Sequence, residues 1–167
     1  FLKPIVLKLD DENYEVHVAC KVNNEDLSMF KRIKIHDISY PQSILSFYKL
    51  FLSFRQCFSI IKNNNYDIVI SHNRIASFVG RVSCFLSGNK NNIYFAHGFY
   101  FHDNQNYLSY FFSIQLERIL SKITKHTLSQ SLEDTKLMIK KKYIHKSNIT
   151  HVGNGIDTNK YRRLKNK

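Results

Sequence analysis

The chain has 167 residues and a mass of 19.8 kDa, and 43% of its residues are hydrophobic, which suits one folded domain and excludes intrinsic disorder. It carries 25 Lys and Arg against 13 Asp and Glu, a net charge of +12, and its five glycines and two prolines exclude a collagen-like or linker-dominated chain. The scattered Cys20, Cys57 and Cys84 argue against a disulfide framework or zinc ribbon and predict small buried side chains in a reducing compartment.

The positive charge is concentrated at the carboxyl end of the chain. Residues 121–167 carry 12 Lys and Arg against three acidic residues, a net charge of +9, so the first 120 residues contribute only +3. This distribution predicts a local patch that faces phosphates, an anionic membrane or an acidic neighbour. We expect no nucleic-acid partner, because no recognition helix or aromatic RNA-binding platform stands out.

The first half of the chain alternates short strand-like runs with longer helical ones. The polar segment 10–13 is predicted to end a helix over 4–9, and the asparagines at 63–65 are predicted to end a helix over 44–61. In chain order, the predicted elements are a helix over 4–9, a strand over 14–20, a strand over 33–38 and a long amphipathic helix over 44–61.

The second half continues the same alternation with short connections. The apolar runs Asp67–Ser71 and Asn92–Ala96 are typical of parallel strands buried on both faces. The other predicted elements are helices over 75–87, 107–123 and 133–142, a weak strand over 126–129 and a last strand over 148–152. Alternating strands and helices predict an α/β fold with a parallel sheet and helices on both of its faces.

Polar side chains and glycines follow four of the predicted strands. In parallel α/β sheets, ligands bind beyond the carboxyl ends of the strands, so these segments are the predicted site. They are Ser71–Arg74, His97–Phe99, Gln130–Ser131 and Gly153–Asp157. His97 can hydrogen-bond a sugar hydroxyl or a phosphate, although a histidine satisfied by backbone at a strand end is an equal alternative.

Other functions find little support in the motifs. His97 and His102 have no third ligand in view, so we expect no metal site, and no dinucleotide fingerprint, P-loop or nucleophile elbow is present. The helix over 44–61 holds more aromatic residues than one core face needs. A lipid-headgroup surface flanked by Lys49 and Arg55 is therefore an alternative to a fully core-facing helix.

Five segments, taken together, resemble the N-terminal half of bacterial family 4 glycosyltransferases, of the kind that build capsular and exopolysaccharides. They are Asp67–His72 (DIVISH), Ile93–Phe101 (IYFAHGFYF), Glu117, Ser131–Asp134 (SLED) and Gly153–Asp157 (GNGID). The segments occur in the family's order and spacing over nearly the whole chain. The first is weak alone, whereas AHGF followed by ED and GNGID is fairly specific.

The resemblance implies a GT-B fold, in which two Rossmann-like domains face each other across a cleft. Residues 1–157 are then the acceptor-side domain, with its first strand lying before Phe1, and residues 158–167 begin the linker to a donor domain. The implied reaction is metal-free, retaining transfer of a sugar, of the hexosyltransferase type, from a nucleotide sugar to a glycan or lipid-linked acceptor. The implied location is the cytoplasm, with peripheral attachment to the inner face of the cell membrane left open.

The resemblance also implies roles for individual residues. His97 is the expected catalytic residue, contacting the donor sugar near the reaction centre, and Gly153, Gly155 and Asp157 lead into the hinge. The expected substrate-binding residues are His72, Asn73, Arg74, Gly98 and Phe99.

Two positions depart from the family pattern. Arg74 stands where the family usually has proline, and Lys125 stands where an aspartate commonly precedes the fifth strand. Without the glycine-rich first loop and the donor domain, the chain alone is expected to be inactive. The alternative function is a non-catalytic, membrane-surface module of α/β fold.

Overall fold

Each predicted strand and helix is present, with ends that differ from the prediction by at most three residues. The structure is a computed structural model that describes residues 2–22, 32–41, 43, 45–99 and 106–155. Its helices are α1 (Leu2–Asp11), α2 (Phe47–Asn64), α3 (Arg74–Ser87), α4 (Tyr107–Lys122) and α5 (Leu132–Lys140), with a 3-10 helix at Lys146–Asn148. Its strands are β1 (His17–Cys20), β2 (Lys34–Asp37), β3 (Val69–His72), β4 (Asn92–Ala96), β5 (His126–Ser129) and β6 (Ile149–His151).

All strand pairs in the described residues are parallel. The strands form two sheets, β1–β2 and β3–β4–β5–β6, with Ile70 opposite Ile93 and Tyr94 opposite Thr127. Parallel neighbours need a crossover connection, and α3, α4 and α5 supply the three crossovers of the larger sheet. The carboxyl ends of β3 to β6 therefore share one edge, which we call the carboxyl edge.

Two apolar clusters hold the helices to the sheets. One joins β4 to α4 and α5 through Tyr94, Phe99, Ile114 and Met138. The other packs α2 on α3 around Ile38, Cys57, Ile61, Val79 and Cys84. Cys57 and Cys84 are buried, as predicted, whereas Cys20 is exposed at the end of β1, where the prediction of burial is wrong.

Helix α2 begins and ends later than its sequence pattern predicts. It starts at Phe47 after Ser46, and it continues through Asn64 until Asn65 adopts the left-handed conformation at φ +48°. Asparagine tolerates this conformation better than most residues, so a single asparagine ends the helix where three were expected to break it.

The prediction that β3 is buried on both faces is wrong. Ile68 and Ile70 are 57% and 44% exposed, whereas Ser71, on the other face, is buried against Gly80 of α3. The reason is that the helices pack on the other face of β3, where Ser71 contacts α3 and Val69 packs against the cluster between α2 and α3. The described helices include none that is long and apolar enough to cross a membrane.

Candidate active site

Two histidines meet at the carboxyl edge. His72 is the last residue of β3 and His97 directly follows β4, and Nδ1 of His72 lies 3.4 Å from Nε2 of His97. The ring of Phe95 stacks on His72 at a centroid distance of 5.1 Å and lies 5.2 Å from the ring of His97. The structure thus brings together the two predicted histidines, which are 25 residues apart in sequence.

The turn between β5 and α5 holds the segment that contains His97. Gln130 Oε1 lies 3.1 Å from His97 Nδ1, and the Gln130 backbone N–H donates to the Ala96 carbonyl at 3.0 Å. The Asp134 carboxylate accepts the backbone N–H of Phe99 at 3.0 Å. The sequence placed Gln130 at a strand end but gave no reason to select it, because an amide has neither charge nor nucleophilic character.

The turn from β3 into α3 is strained at Asn73. This residue has φ +61° and ψ 162°, a backbone conformation that residues other than glycine rarely adopt. The Asn73 side chain does not cap α3. Arg74 follows as the first residue of α3 and is exposed. The strain fixes the direction in which the chain leaves His72, and it costs about 1–3 kcal/mol that the surrounding packing must offset.

A small cavity between α3 and α4 joins several predicted residues. Its volume is about 70 Å³, and Arg74, Gly98 and Phe99 line it together with the buried Arg81 and Glu117. Phe99 is only 9% exposed and packs edge-on against Tyr94 at 6.1 Å, so its ring supports the turn from the core side. Its role in substrate binding stays a prediction.

The predicted hinge lies farther along the same edge. Gly153 follows β6 in a left-handed conformation at φ +63°, which favours glycine, and the N–H of Val152 donates to the Ser129 carbonyl at 2.9 Å. Gly155 is exposed at the end of the described residues, and Asp157 lies outside them. The hinge role of these residues stays a prediction.

Burial lowers the pKa of His72 to about 4, and the neighbouring His97 adds to the effect. His72 is therefore neutral at physiological pH, so it offers one hydrogen-bond donor and one acceptor and no charge. In the described part of the chain, no group of three His, Cys, Asp or Glu side chains could hold a metal ion.

We expect the free energy of unfolding to fall as pH decreases from about 6.5 to about 4. In this window the unfolded chain protonates His72 and the native chain does not, so acid favours unfolding. Urea unfolding at several pH values should show a smaller pH dependence for His72→Asn than for the wild type. His36, whose pKa is also lowered, remains in both proteins, and the exposed His151→Asn is the matched control. An unchanged pH dependence in His72→Asn would show that the lowered pKa of His72 is not the cause of the loss of stability in acid.

The chain is similar in sequence to known proteins over most of its length. The sequence profile of Glycosyltransferase Family 4 matches residues 5–160. The chain is 25% identical over 170 residues to the UDP-Gal:alpha-D-GlcNAc-diphosphoundecaprenol alpha-1,3-galactosyltransferase of Escherichia coli, and the match covers 95% of this chain and 41% of that enzyme.

Two crystal structures share the fold. A Listeria monocytogenes protein assigned as a UDP-N-acetylglucosamine 2-epimerase superposes with a TM-score of 0.64 at 18% identity, over 89% of this chain and 39% of that one. Acinetobacter baumannii MurG gives a TM-score of 0.59 at 13% identity, over 94% of this chain and 42% of that one. These likenesses confirm the predicted Rossmann-like domain of GT-B type, and the chain spans about two fifths of the length of each relative.

Proposed function

The chain belongs to Glycosyltransferase Family 4, and on that premise we propose that it is the acceptor-side domain of a retaining glycosyltransferase that acts on a nucleotide sugar and a lipid-linked or glycan acceptor. The observation that carries the proposal is the cluster of His72, His97 and Gln130 at the carboxyl edge. The galactosyltransferase to which the chain is similar has UDP-Gal and a diphosphoundecaprenol-linked GlcNAc in its name, which supports this class of donor and acceptor.

The side chains of the carboxyl edge suit a sugar diphosphate. The neutral His72 and the amide of Gln130 offer hydrogen bonds without charge, and sugar hydroxyls can donate and accept such bonds. The exposed guanidinium of Arg74 stands at the start of a 14-residue helix, where backbone N–H groups and the helix dipole favour an anion such as a phosphate. We place the acceptor beside His72, Asn73 and Arg74, and the donor sugar beside His97.

The remaining parts of the proposal rest on the resemblance to the family described above. Residues 1–157 form the acceptor-side domain, residues 158–167 begin the linker, and the donor domain belongs to the longer protein. The enzyme is a hexosyltransferase of cell-surface polysaccharide synthesis at the cytoplasmic side of the membrane, and it needs no metal ion. The isolated chain is inactive, because the residues that would bind the nucleotide lie in the donor domain.

Sugar transfer by the longer protein tests this function. The assay supplies UDP-galactose and a diphosphoundecaprenol-linked GlcNAc acceptor, with and without EDTA, and follows the product by mass spectrometry. NMR of the product then shows whether the anomeric configuration of the donor is retained. Transfer that requires the acceptor and resists EDTA supports the proposal. Hydrolysis of the donor at the same rate without an acceptor, or an inverted product, would overturn it.

The exposed aromatic residues favour a second function, attachment to a membrane surface. At the start of α2, Phe47, Tyr48 and Phe51 are 58–75% exposed, and at the start of α4, Tyr107 and Phe112 are 77% and 67% exposed. Each helix ends a few residues before the next strand begins, so its starting end lies towards the carboxyl edge. The aromatic side chains therefore lie towards the same edge of the sheet as the proposed acceptor site, where we place the entry of a lipid-linked substrate. Only part of α2 faces the core, chiefly Leu50, Phe54, Cys57 and Ile61.

We expect the chain to bind vesicles that contain anionic lipid and to lose binding as salt is raised, because screening shortens the reach of its charges to about 8 Å at physiological ionic strength. The triple variant Phe47→Ser, Tyr48→Ser, Phe51→Ser should bind at least about tenfold more weakly in a sedimentation assay. The control is the double variant Phe85→Ser, Leu86→Ser. Both side chains are also exposed, but they lie in the last turn of α3, away from the carboxyl edge. Equal losses in the two variants would contradict a specific membrane face.

A further inference from the structure

In the described residues, the side-chain amide of Gln130 forms a hydrogen bond through its oxygen but not through its nitrogen. Its Oε1 lies 3.1 Å from His97 Nδ1, while its Nε2 is buried and has no hydrogen-bond partner in the described part of the chain. A buried amide NH2 group without a partner is costly, because it has lost its hydrogen bonds to water, and native structures contain few of them. We therefore expect the two N–H groups of Gln130 Nε2 to donate to an acceptor atom of a ligand when the site is occupied.

The contact with Oε1 also decides the protonation pattern of the histidine pair. A carbonyl oxygen accepts but cannot donate, so Nδ1 of His97 must carry the hydrogen in this contact. In the neutral imidazole Nε2 of His97 is then the acceptor, and the hydrogen bond between the two rings must be donated by Nδ1 of His72. The three side chains form one directed chain of hydrogen bonds, which starts at His72 and ends at the Gln130 carbonyl.

The backbone makes Gln130 a rigid support for this chain. The Gln130 N–H donates to the Ala96 carbonyl at 3.0 Å, so the residue is fixed against the one that precedes His97. Ser131 caps α5 by accepting the N–H of Asp134, and Asp134 in turn accepts the N–H of Phe99. The β5–α5 turn and the first turn of α5 thus contact the His97 segment at three points, and together they can hold the imidazole in one orientation.

We propose that Gln130 is a positioning and binding residue of this site: its carbonyl fixes His97 as the Nδ1-protonated tautomer, and its free amide N–H2 donates to a hydroxyl oxygen of the bound sugar. The second half of this statement rests on the proposed function, whereas the first does not. An uncharged amide matches a hydroxyl better than a phosphate, which is bound more strongly by charged donors.

Long-range ¹H–¹⁵N NMR of the 167-residue chain tests the positioning role, because it distinguishes the two imidazole tautomers directly. We expect His97 to be Nδ1-protonated in the wild type and in Gln130→Glu, which keeps an acceptor oxygen. In Gln130→Leu we expect a mixture of tautomers. Gln115→Leu, which removes an amide that contacts Arg118 on α4, is the matched control and should leave His97 unchanged. An Nε2-protonated His97 in the wild type, or an unchanged tautomer in Gln130→Leu, would overturn the proposal.

Activity of the longer protein tests the binding role. Gln130→Glu keeps the acceptor but loses the amide donors, so we expect kcat/KM to fall at least about tenfold, with a further fall in Gln130→Leu. Full activity in Gln130→Glu would exclude the contact with the sugar. If the longer protein transfers no sugar while His97 still shows the expected tautomer, the proposed function fails and the positioning role stands. The two failures are therefore distinguishable.

Discussion

Removing either member of the buried Arg81–Glu117 ion pair should lower the free energy of unfolding by about 3–5 kcal/mol. The pair joins α3 to α4 with two hydrogen bonds, of 2.7 and 3.1 Å, and its side chains are only 2% and 12% exposed. Arg81→Met and Glu117→Leu each leave one charge buried without its partner, which is why the loss exceeds that of a surface ion pair. Urea unfolding at pH 7 measures the effect, provided that the slope with denaturant is unchanged.

The environment of Arg81 adds to this loss. Its guanidinium lies 4.2 Å from the ring centroid of Tyr94, and its Nε donates to the Ser77 carbonyl at 3.3 Å. Burial, with a smaller contribution from Glu117, raises the pKa of Tyr94 to about 12, so this phenol stays neutral under the guanidinium. Arg81→Met therefore removes a cation–π contact as well as the ion pair, and it should be the more destabilising of the two single variants.

The double variant separates the ion pair from its surroundings. Arg81→Met, Glu117→Leu leaves no unpaired charge, so we expect it to be more stable than the sum of the single losses predicts, by about 1–3 kcal/mol. Lys8→Met is the matched control, because it breaks an exposed ion pair with Glu12 that should contribute no more than about 0.5 kcal/mol. Additive losses in the double variant would show that the two charges do not interact.

The order of elements could be predicted from the sequence because each element has a local signature. Residues 92–96 form β4 with the bounds that the apolar run predicted, since such runs occur where a strand is covered by neighbouring elements. Residues 74–87 form α3 close to the predicted bounds, since Gly88 supplies the left-handed residue that ends a helix. Both signals are carried by residues that lie close together in the chain.

Burial could not be predicted in the same way, because it depends on which element lies opposite. Leu108 and Phe112 have the spacing of a core stripe in α4, yet they are 61% and 67% exposed, while Ile114, Glu117 and Leu120 are buried. The same limit explains Ile68 and Ile70, whose β-branched pattern is that of a covered strand. Periodicity identifies the helix or strand, but the neighbouring layer decides which of its faces is covered.

The candidate site was predicted in part, for a physical reason. Topology alone places the residues that follow parallel strands at one edge, so the meeting of His72 and His97 could be expected. The contact of Gln130 with His97 could not be expected, because it joins residues that are 33 positions apart, at a distance of 3.1 Å. The Arg81–Glu117 pair was missed for the same reason, since its partners are 36 positions apart and each charge alone is typical of a helix surface.

Replacing His97 with alanine should reduce sugar transfer by the longer protein at least about 100-fold. We place the imidazole at the donor sugar, where its Nε2 exchanges the long 3.4 Å contact with His72 for a hydrogen bond to a sugar hydroxyl, and one such side chain commonly contributes that much. His97 is exposed and forms its contacts at the end of β4, so the variant should unfold within about 1 kcal/mol of the wild type. His126→Ala is the control. It removes a histidine at the start of β5, at the opposite edge of the same sheet, where it bonds to Thr150 at 2.9 Å. A variant that folds and retains full transfer would remove His97 from the reaction, and equal losses in both variants would assign the effect to stability.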